Sequence, residues 1–278
     1  MSQSIPEPTS TALPTATALP TATLWPLPKN TQFIFGSETT QTMQDIATHG
    51  IRIASDYFKR QGLNPPPITV FMYSNYENYI EAFAQERQIS SASARQQSGE
   101  FTVSGNAFPG RIFIYAGPPW ASLSTEFHYQ GLPFHEYVHI MQNSLAGNFP
   151  DSEYSSMGPA WMIEGTALYL QGVIANQAGM QSADEFNLDM AWDVARQADY
   201  PLAVLEEYAN TAAVGEGDFI YSGAVALALL VQETDLDSVF SYYSFISAGM
   251  TWQAAFEAAF GFALQEFYDF YAHAIRQP

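Results

Sequence analysis

The sequence predicts an α+β fold: a mixed, mostly antiparallel sheet with accompanying helices comes first, and an all-helical half follows. The β-branched and aromatic runs typical of strands all lie before about residue 120. After that point, apolar residues recur at helical spacing almost to the end of the chain. The 278 residues are 47% hydrophobic, which is enough apolar material for a sizeable core.

The first half of the chain alternates strand patterns with helix patterns. Met43, Ile46 and Ile53 recur at helical spacing in the first helix, and "NPPP" separates that helix from the β-branched run "ITVFMY". Pro109 and Gly110 separate two further strand patterns and predict a hairpin. The predicted strands are 31–38, 68–73, 100–108 and 111–117, and the predicted helices are 39–62 and 75–87.

Helix patterns fill the second half. They predict helices at 133–146, 159–177, 183–197, 202–213, 218–233, 235–247, 250–259 and 263–275. Two subdomains are therefore expected, an N-terminal one over residues 31–146 and a helical C-terminal one over 147–278.

Residues 1–30 are expected to form a disordered tether that precedes the fold. "TALPTA" occurs twice in succession and "TLWPLP" follows, a composition that cannot bury enough surface to offset its ordering entropy. Thr/Pro-rich stalks are typical of the outside of cells, so we expect an extracellular or cell-surface protein. "MSQSIPEPTS" lacks the basic start and the apolar stretch of a secretory signal, so a natural leader is expected to have been removed or to lie upstream.

The charge and the cysteine content exclude several kinds of partner and site. Twenty-eight acidic residues against nine basic ones give a net charge of -19, which argues against nucleic acid and disfavours an anionic membrane surface. No apolar run approaches the roughly 18 residues of a membrane helix, so no transmembrane segment is expected. Because the chain has no cysteine, any metal must be held by His, Asp or Glu.

The stretch "LPFHEYVHIMQ" carries the most specific chemical signal. His135 and His139 are four residues apart, so on a helix both imidazoles project from one face and can bind a single ion. Glu136 is rotated by about 100° from His135, near enough to act as the base of a metal-dependent hydrolase without being a ligand. Pro133 suits a first helical turn and predicts that the helix starts just before the ligands.

A catalytic zinc site needs a third protein ligand. The candidates are His128, Asp151, Glu153 and Glu164. Gly131 and Pro133 separate His128 from the motif and make a continuous helix unfavourable, and the two carboxylates at 151 and 153 lie in a polar loop.

Glu164 is the favoured third ligand because it lies in the apolar helix pattern "GPAWMIEGTALYL", where an unpaired carboxylate would be costly. Gly165 and Ala167 are small and are expected to let this helix pack closely against the one that carries both histidines.

"HEYVH" followed by "WMIEGTALY" resembles the gluzincin branch of zinc metallopeptidases, and in particular a group of bacterial extracellular peptidase-MA-like proteins. The resemblance implies a zincin-like fold and one zinc ion per chain, held by His135, His139 and Glu164. It also implies peptide-bond hydrolysis with Glu136 as general base. Because the family often places a Tyr or His over the zinc, Tyr221 is the candidate that stabilises the oxyanion, with Tyr169 and Tyr137 as weaker alternatives.

The substrate is expected to be a peptide or protein that adds as an extended strand along "RIFI", which is Arg111, Ile112, Phe113 and Ile114. Related aminopeptidases carry a Glu-containing motif in this region, whereas "SGNAFPGRIFIY" has no carboxylate, so an endopeptidase is favoured. A zinc aminopeptidase and a noncatalytic surface binding module on the same fold remain alternatives. Glycosidase chemistry by Glu206 and Glu207 is weak, since adjacent helical residues face different directions.

Overall fold

The computed structural model describes residues 26–98, 103–117, 126–150, 155–179, 188–198, 200–208 and 216–276, and these form an α+β fold that is mostly helical. The strands are β1 (Gln32–Phe35), β2 (Thr69–Tyr73), β3 (Val103–Phe108) and β4 (Arg111–Ala116). The helices are α1 (Gln41–Arg60), α2 (Tyr76–Arg87), α3 (Ser91–Ser98), α4 (Glu126–Ala146), α5 (Ala160–Gln177), α6 (Leu188–Gln197), α7 (Glu216–Glu233), α8 (Leu236–Ser247), α9 (Trp252–Phe260) and α10 (Leu264–Ala274), with a 3-10 helix at Leu202–Glu206.

The four strands form one mixed sheet in the order β1-β2-β4-β3. β1 pairs with β2 and β2 pairs with β4 in parallel, and only β3 and β4 are antiparallel. The expectation of a mostly antiparallel sheet is therefore wrong. A parallel neighbour requires a long crossover, which α1 provides between β1 and β2, and which α2, α3 and β3 together provide between β2 and β4.

Local sequence explains where several elements begin and end. Thr40, Asn75 and Asp235 are N-caps whose side-chain oxygens accept hydrogen bonds, at 3.3, 3.1 and 2.8 Å, from the backbone N–H groups three residues further on. Gly110, with φ of 72°, forms the turn of the predicted hairpin.

Two helix predictions differ from the structure. The sequence analysis missed α3, because "SASARQQS" is polar and has too few apolar residues for a periodic signal. Residues 202–206 of the predicted helix 202–213 form a 3-10 helix, and residues 209–213 lie outside the described part. Residues 183–187 of the predicted helix 183–197 also lie outside it.

One hydrophobic core extends across the predicted subdomain boundary. Met43 of α1 and Ile114 of β4 belong to the same buried cluster as Trp161 of α5 and Tyr271 of α10. A smaller cluster that includes Phe71 and Phe113 lies under α2. The two predicted subdomains therefore share their core.

The last residues of the predicted tether are in contact with the fold. Leu27 packs against the main core, and the Lys59 ammonium donates a hydrogen bond to the Pro26 carbonyl. Residues 26–30 are thus in contact with the fold, and residues 1–25 lie outside the described residues.

The helix that carries both histidines, α4, begins at Glu126 rather than near Pro133. Pro133 lies inside the helix, where it removes one backbone donor. Its ring faces Gly50 of α1, since a Cβ added at Gly50 would lie 2.9 Å from the Pro133 Cβ. Tertiary packing of this kind outweighs the local signal for a helix start, so the expected boundary is wrong.

Within the described residues, no single helix combines the length and apolar composition of a membrane span. The segments Phe219–Glu233 and Leu236–Ser247 meet both criteria only when taken together, and they are bent by 106° relative to each other.

Candidate metal centre

Helices α4 and α5 bring together three side chains that could hold a metal ion. The Nε2 atoms of His135 and His139 lie 3.1 Å apart, and each is 3.3 Å from Oε2 of Glu164. The three side chains are 13%, 7% and 18% exposed, so the cluster is largely buried. The two histidines of α4 and the carboxylate of α5 thus lie next to each other, as the sequence predicted.

The geometry of this cluster fits a metal ion. Around a tetrahedral zinc with bonds of about 2.0–2.2 Å, ligand atoms lie roughly 3.3–3.5 Å apart, which is close to the separations found here. Two imidazole nitrogens and one carboxylate oxygen are also a donor set that zinc accepts in catalytic sites. His135, His139 and Glu164 could therefore hold one ion.

Gln142 fixes the orientation of the His139 ring. Its Oε1 lies 2.8 Å from Nδ1 of His139, while its Nε2 donates to the Ile163 carbonyl at 2.8 Å and to the Tyr243 hydroxyl at 2.9 Å. Because both acceptors engage the amide nitrogen, the amide oxygen must face the imidazole. In its neutral form, His139 therefore carries its proton on Nδ1 and presents the lone pair of Nε2 to the cluster.

Sequence reasoning missed Gln142, although its position three residues after His139 on the same helix face was a usable signal.

Glu136 is buried beside the cluster and packs against the sheet. Only 4% of the residue is exposed, and a Cβ added at Gly105 of β3 would lie 2.2 Å from its Oε1. Burial raises the pKa of Glu136 above its usual range, the charge of Glu164 adds to this effect, and the two histidines oppose it. A carboxyl group with a raised pKa is suited to accepting and returning a proton near neutral pH.

The two histidines and Glu164 are strongly coupled electrostatically. Burial alone would lower the pKa of His139, but the adjacent Glu164 carboxylate outweighs it and raises that pKa to about 9. Burial would likewise raise the pKa of Glu164, yet the two histidines hold it far below its ordinary value. A cation is therefore favoured between these side chains, whether it is a proton or a metal.

The Tyr208 hydroxyl contacts the cluster. This hydroxyl donates a 2.9 Å hydrogen bond to Oε1 of Glu164. The residue lies two positions after the end of the 3-10 helix and is 38% exposed. No sequence pattern predicts this contact, since the two residues are 44 positions apart and Tyr208 is one of sixteen tyrosines.

The three tyrosines that the sequence predicted as candidates lie in the core or against it. Tyr221 is half-buried in α7 against the main core, and its role as the oxyanion-stabilising residue stays a prediction. Burial raises the pKa of Tyr169, and the Tyr137 ring lies 6.3 Å from that of Phe58.

The three alternative third ligands fall where the structure gives no side-chain placement. Asp151 and Glu153 lie outside the described residues. His128 is part of α4, in a continuous helix that was not expected, and its side chain also lies outside the described part.

The predicted substrate strand needs correction. β4, which contains Arg111, Ile112, Phe113 and Ile114, pairs with β2 on one side and with β3 on the other. A peptide cannot add to a strand whose two edges are already paired. Ile112, Phe113 and Ile114 are at most 1% exposed, and Arg111 instead forms a 3.0 Å ion pair with Glu86. In the described sheet, the edge strand next to Glu136 is β3.

The close helix packing predicted for Gly165 involves a different partner. α5 does pack against α4, but a Cβ added at Gly165 would lie 2.3 Å from the backbone carbon of Gly223 in α7. Gly165 therefore allows α5 and α7 to cross at close range next to Glu164.

No protein-family model matches the chain, and no curated protein sequence is significantly similar to it.

Proposed function

We propose that this protein is a zinc-dependent endopeptidase with a zincin-like fold. The convergence of His135 and His139 Nε2 with Glu164 Oε2 at 3.1–3.3 Å carries the proposal, since this donor set and spacing suit one catalytic zinc. The resemblance of "HEYVH" and "WMIEGTALY" to gluzincin peptidases also supports it.

The side chains divide the chemistry among them. His135, His139 and Glu164 would hold the ion, which when bound supplies Lewis-acid chemistry by making water nucleophilic near neutral pH and polarising a carbonyl. Glu136 takes the proton of the attacking water on its carboxylate and delivers it to the departing amine. Its raised pKa suits both halves of this transfer. Tyr221 remains our candidate for stabilising the oxyanion.

The substrate would pair with β3 rather than β4. β3 is an edge of the described sheet and passes Glu136 at Gly105, so an extended peptide added there would bring its backbone to the base. The described part of the β3–β4 hairpin has no carboxylate to bind a free amino terminus. Cleavage within a chain is therefore favoured over removal of its first residue.

The Thr/Pro-rich repeat before the fold supports an extracellular or surface-tethered location for this activity.

Metal analysis combined with the Glu136→Gln variant tests the function. We expect about one zinc per chain in wild type and variant, with peptide cleavage in the variant reduced by roughly 10²–10⁴-fold because only the base is removed. Glu257→Gln, at an exposed position in α9, is the matched control and should cleave like wild type.

Each contrary result points to a specific alternative. A correctly folded wild-type protein without zinc would overturn the metal site. Bound zinc without turnover on a broad peptide library would favour the noncatalytic binding module, and failure to cut N-terminally blocked peptides would favour an aminopeptidase.

A further inference from the structure

The segment from Leu202 to Tyr208, here called the strap, is fixed to the core at several points. Leu202 and Leu205 are 2% and 0% exposed. Oε1 of Glu206 accepts a 2.7 Å hydrogen bond from the Tyr268 hydroxyl of α10. That hydroxyl in turn accepts a 3.2 Å hydrogen bond from Nε1 of Trp161 in α5.

The far end of the strap returns to the same helix. Tyr208 donates to Oε1 of Glu164, and Glu164 lies one helical turn after Trp161. The strap is therefore tied to α5 at two neighbouring positions, through Tyr268 at one and directly at the other. These contacts fix the Tyr208 hydroxyl in a defined position beside the Glu164 carboxylate.

The two carboxylate oxygens of Glu164 have different partners. Oε1 is engaged by the tyrosine hydroxyl, while Oε2 lies 3.3 Å from both imidazole nitrogens. Only Oε2 is thus presented between the histidines. A carboxylate without this hydrogen bond could offer both oxygens to an ion and fill a coordination position that a catalytic site must keep open.

We infer that Tyr208 is a positioning residue that holds Glu164 as a ligand through one oxygen, and that the strap exists to place this hydroxyl. The inference rests on the proposed metal site and goes beyond the ligand set itself. Tyr208 acts through Glu164, so its removal should alter the coordination of the ion rather than the fold.

A purely structural role would depend on the ring instead of the hydroxyl. The Tyr208 ring lies 6.2 Å from that of Phe219, and the substitution Tyr208→Phe retains this contact. Because the residue is 38% exposed, the variant should fold normally.

The test compares wild type, Tyr208→Phe and the control Tyr73→Phe, which removes a hydroxyl on β2 away from the cluster. Zinc is removed and replaced by cobalt(II), whose visible absorption bands change in intensity and position with coordination number. We expect Tyr208→Phe to alter the cobalt spectrum, to weaken zinc binding about 10-fold, and to lower kcat more than it changes KM. Tyr73→Phe should match wild type.

The outcomes separate the inference from the proposed function. If wild type binds neither zinc nor cobalt, the metal site itself is wrong. If wild type binds both metals and cleaves peptides, but Tyr208→Phe has the same spectrum and zinc affinity, the positioning role of Tyr208 is overturned while the peptidase stands.

Discussion

Gln142 shows how one uncharged side chain can orient a buried histidine. Many metal-binding histidines donate their second N–H to a carboxylate, whereas here an amide oxygen accepts it. An amide orients the ring without adding negative charge to a cluster that already contains Glu136 and Glu164. The Tyr243 hydroxyl and the Ile163 carbonyl make the choice of amide end unambiguous.

The substitution Gln142→Ala should therefore weaken both metal binding and the fold. It leaves the Nδ1 proton of His139 and the Ile163 carbonyl without these partners, so we expect zinc affinity to fall by about 10–100-fold. The free energy of unfolding should drop by roughly 1–3 kcal/mol. Competitive zinc titration and urea unfolding measure the two effects, with the exposed Gln265→Ala as control. Unchanged zinc affinity would show that His139 needs no orienting partner.

The coupled pair of His139 and Glu164 predicts how the metal-free protein responds to pH. The pKa of His139 is raised from 6.5 to about 9, so its contribution to stability is complete below pH 6.5 and is lost as the pH rises to 9. The pKa of Glu164 is lowered, so its contribution is complete above pH 4.5 and is lost only as the pH falls towards its folded value.

Thermal unfolding of chelator-treated protein between pH 6.5 and pH 9 checks this sign. We expect the Tm of wild type to fall across this range and that of Glu164→Gln to fall less, because the variant has no carboxylate to favour the imidazolium. Equal slopes in the two proteins would contradict the coupling. Added zinc should flatten the wild-type curve, since the metal replaces the proton.

At the scale of the helices, the crossing of α5 and α7 fixes the position of Glu164. Gly165 follows Glu164 directly and lies against the backbone of Gly223. The two glycines are matched, since a Cβ added at Gly223 would lie 2.6 Å from the Trp161 carbonyl oxygen. Any side chain at either position must push the helices apart, because the obstructing atoms belong to the backbone.

Gly165→Ala and Gly223→Ala should each lower the free energy of unfolding by about 1–3 kcal/mol through overpacking. Both should also weaken zinc binding, because a displaced α5 moves Glu164 away from the histidines. Urea unfolding and zinc titration of the two variants provide the measurement. Loss of stability with full zinc affinity would mean that the displacement of α5 does not move Glu164 away from the histidines.

The sequence predicted elements and ligands better than it predicted their neighbours. His135, His139 and Glu164 were found because spacing on a helix and the cost of a buried carboxylate are local properties. The parallel pairing of β2 with β4, the start of α4 before Pro133, and the contact of Tyr208 with Glu164 depend on residues far apart in the chain. Such contacts produce no periodic pattern in the sequence, so they can be identified only from the folded structure.

At the scale of the whole molecule, negative charge is concentrated in the second half. Twenty of the 28 acidic residues follow residue 116, together with only two of the nine basic ones, Arg196 and Arg276. The half that contributes the metal-binding helices thus carries most of the net charge of -19. A field of this sign attracts cations and repels anions over about one Debye length.

We expect peptides flanked by Lys or Arg to be cleaved faster than the same peptides flanked by Glu. At low ionic strength kcat/KM should differ by about 10-fold or more, and added salt should narrow the difference by screening. The measurement compares matched peptide pairs at salt concentrations from about 20 mM to about 500 mM. Over this range the Debye length falls from tens of ångströms to a few ångströms. A preference that salt leaves unchanged would point to a direct contact in the cleft.

Contacts between distant parts of the chain also determine when the candidate metal site can be completed during protein synthesis. Trp161 and Tyr268 are 107 residues apart, and the Gln142 amide waits for Tyr243, which is 101 residues further along the chain. The histidine helix leaves the ribosome long before the residues that secure its surroundings. The nascent chain therefore cannot assemble a fully supported candidate site until α10 has emerged from the ribosome.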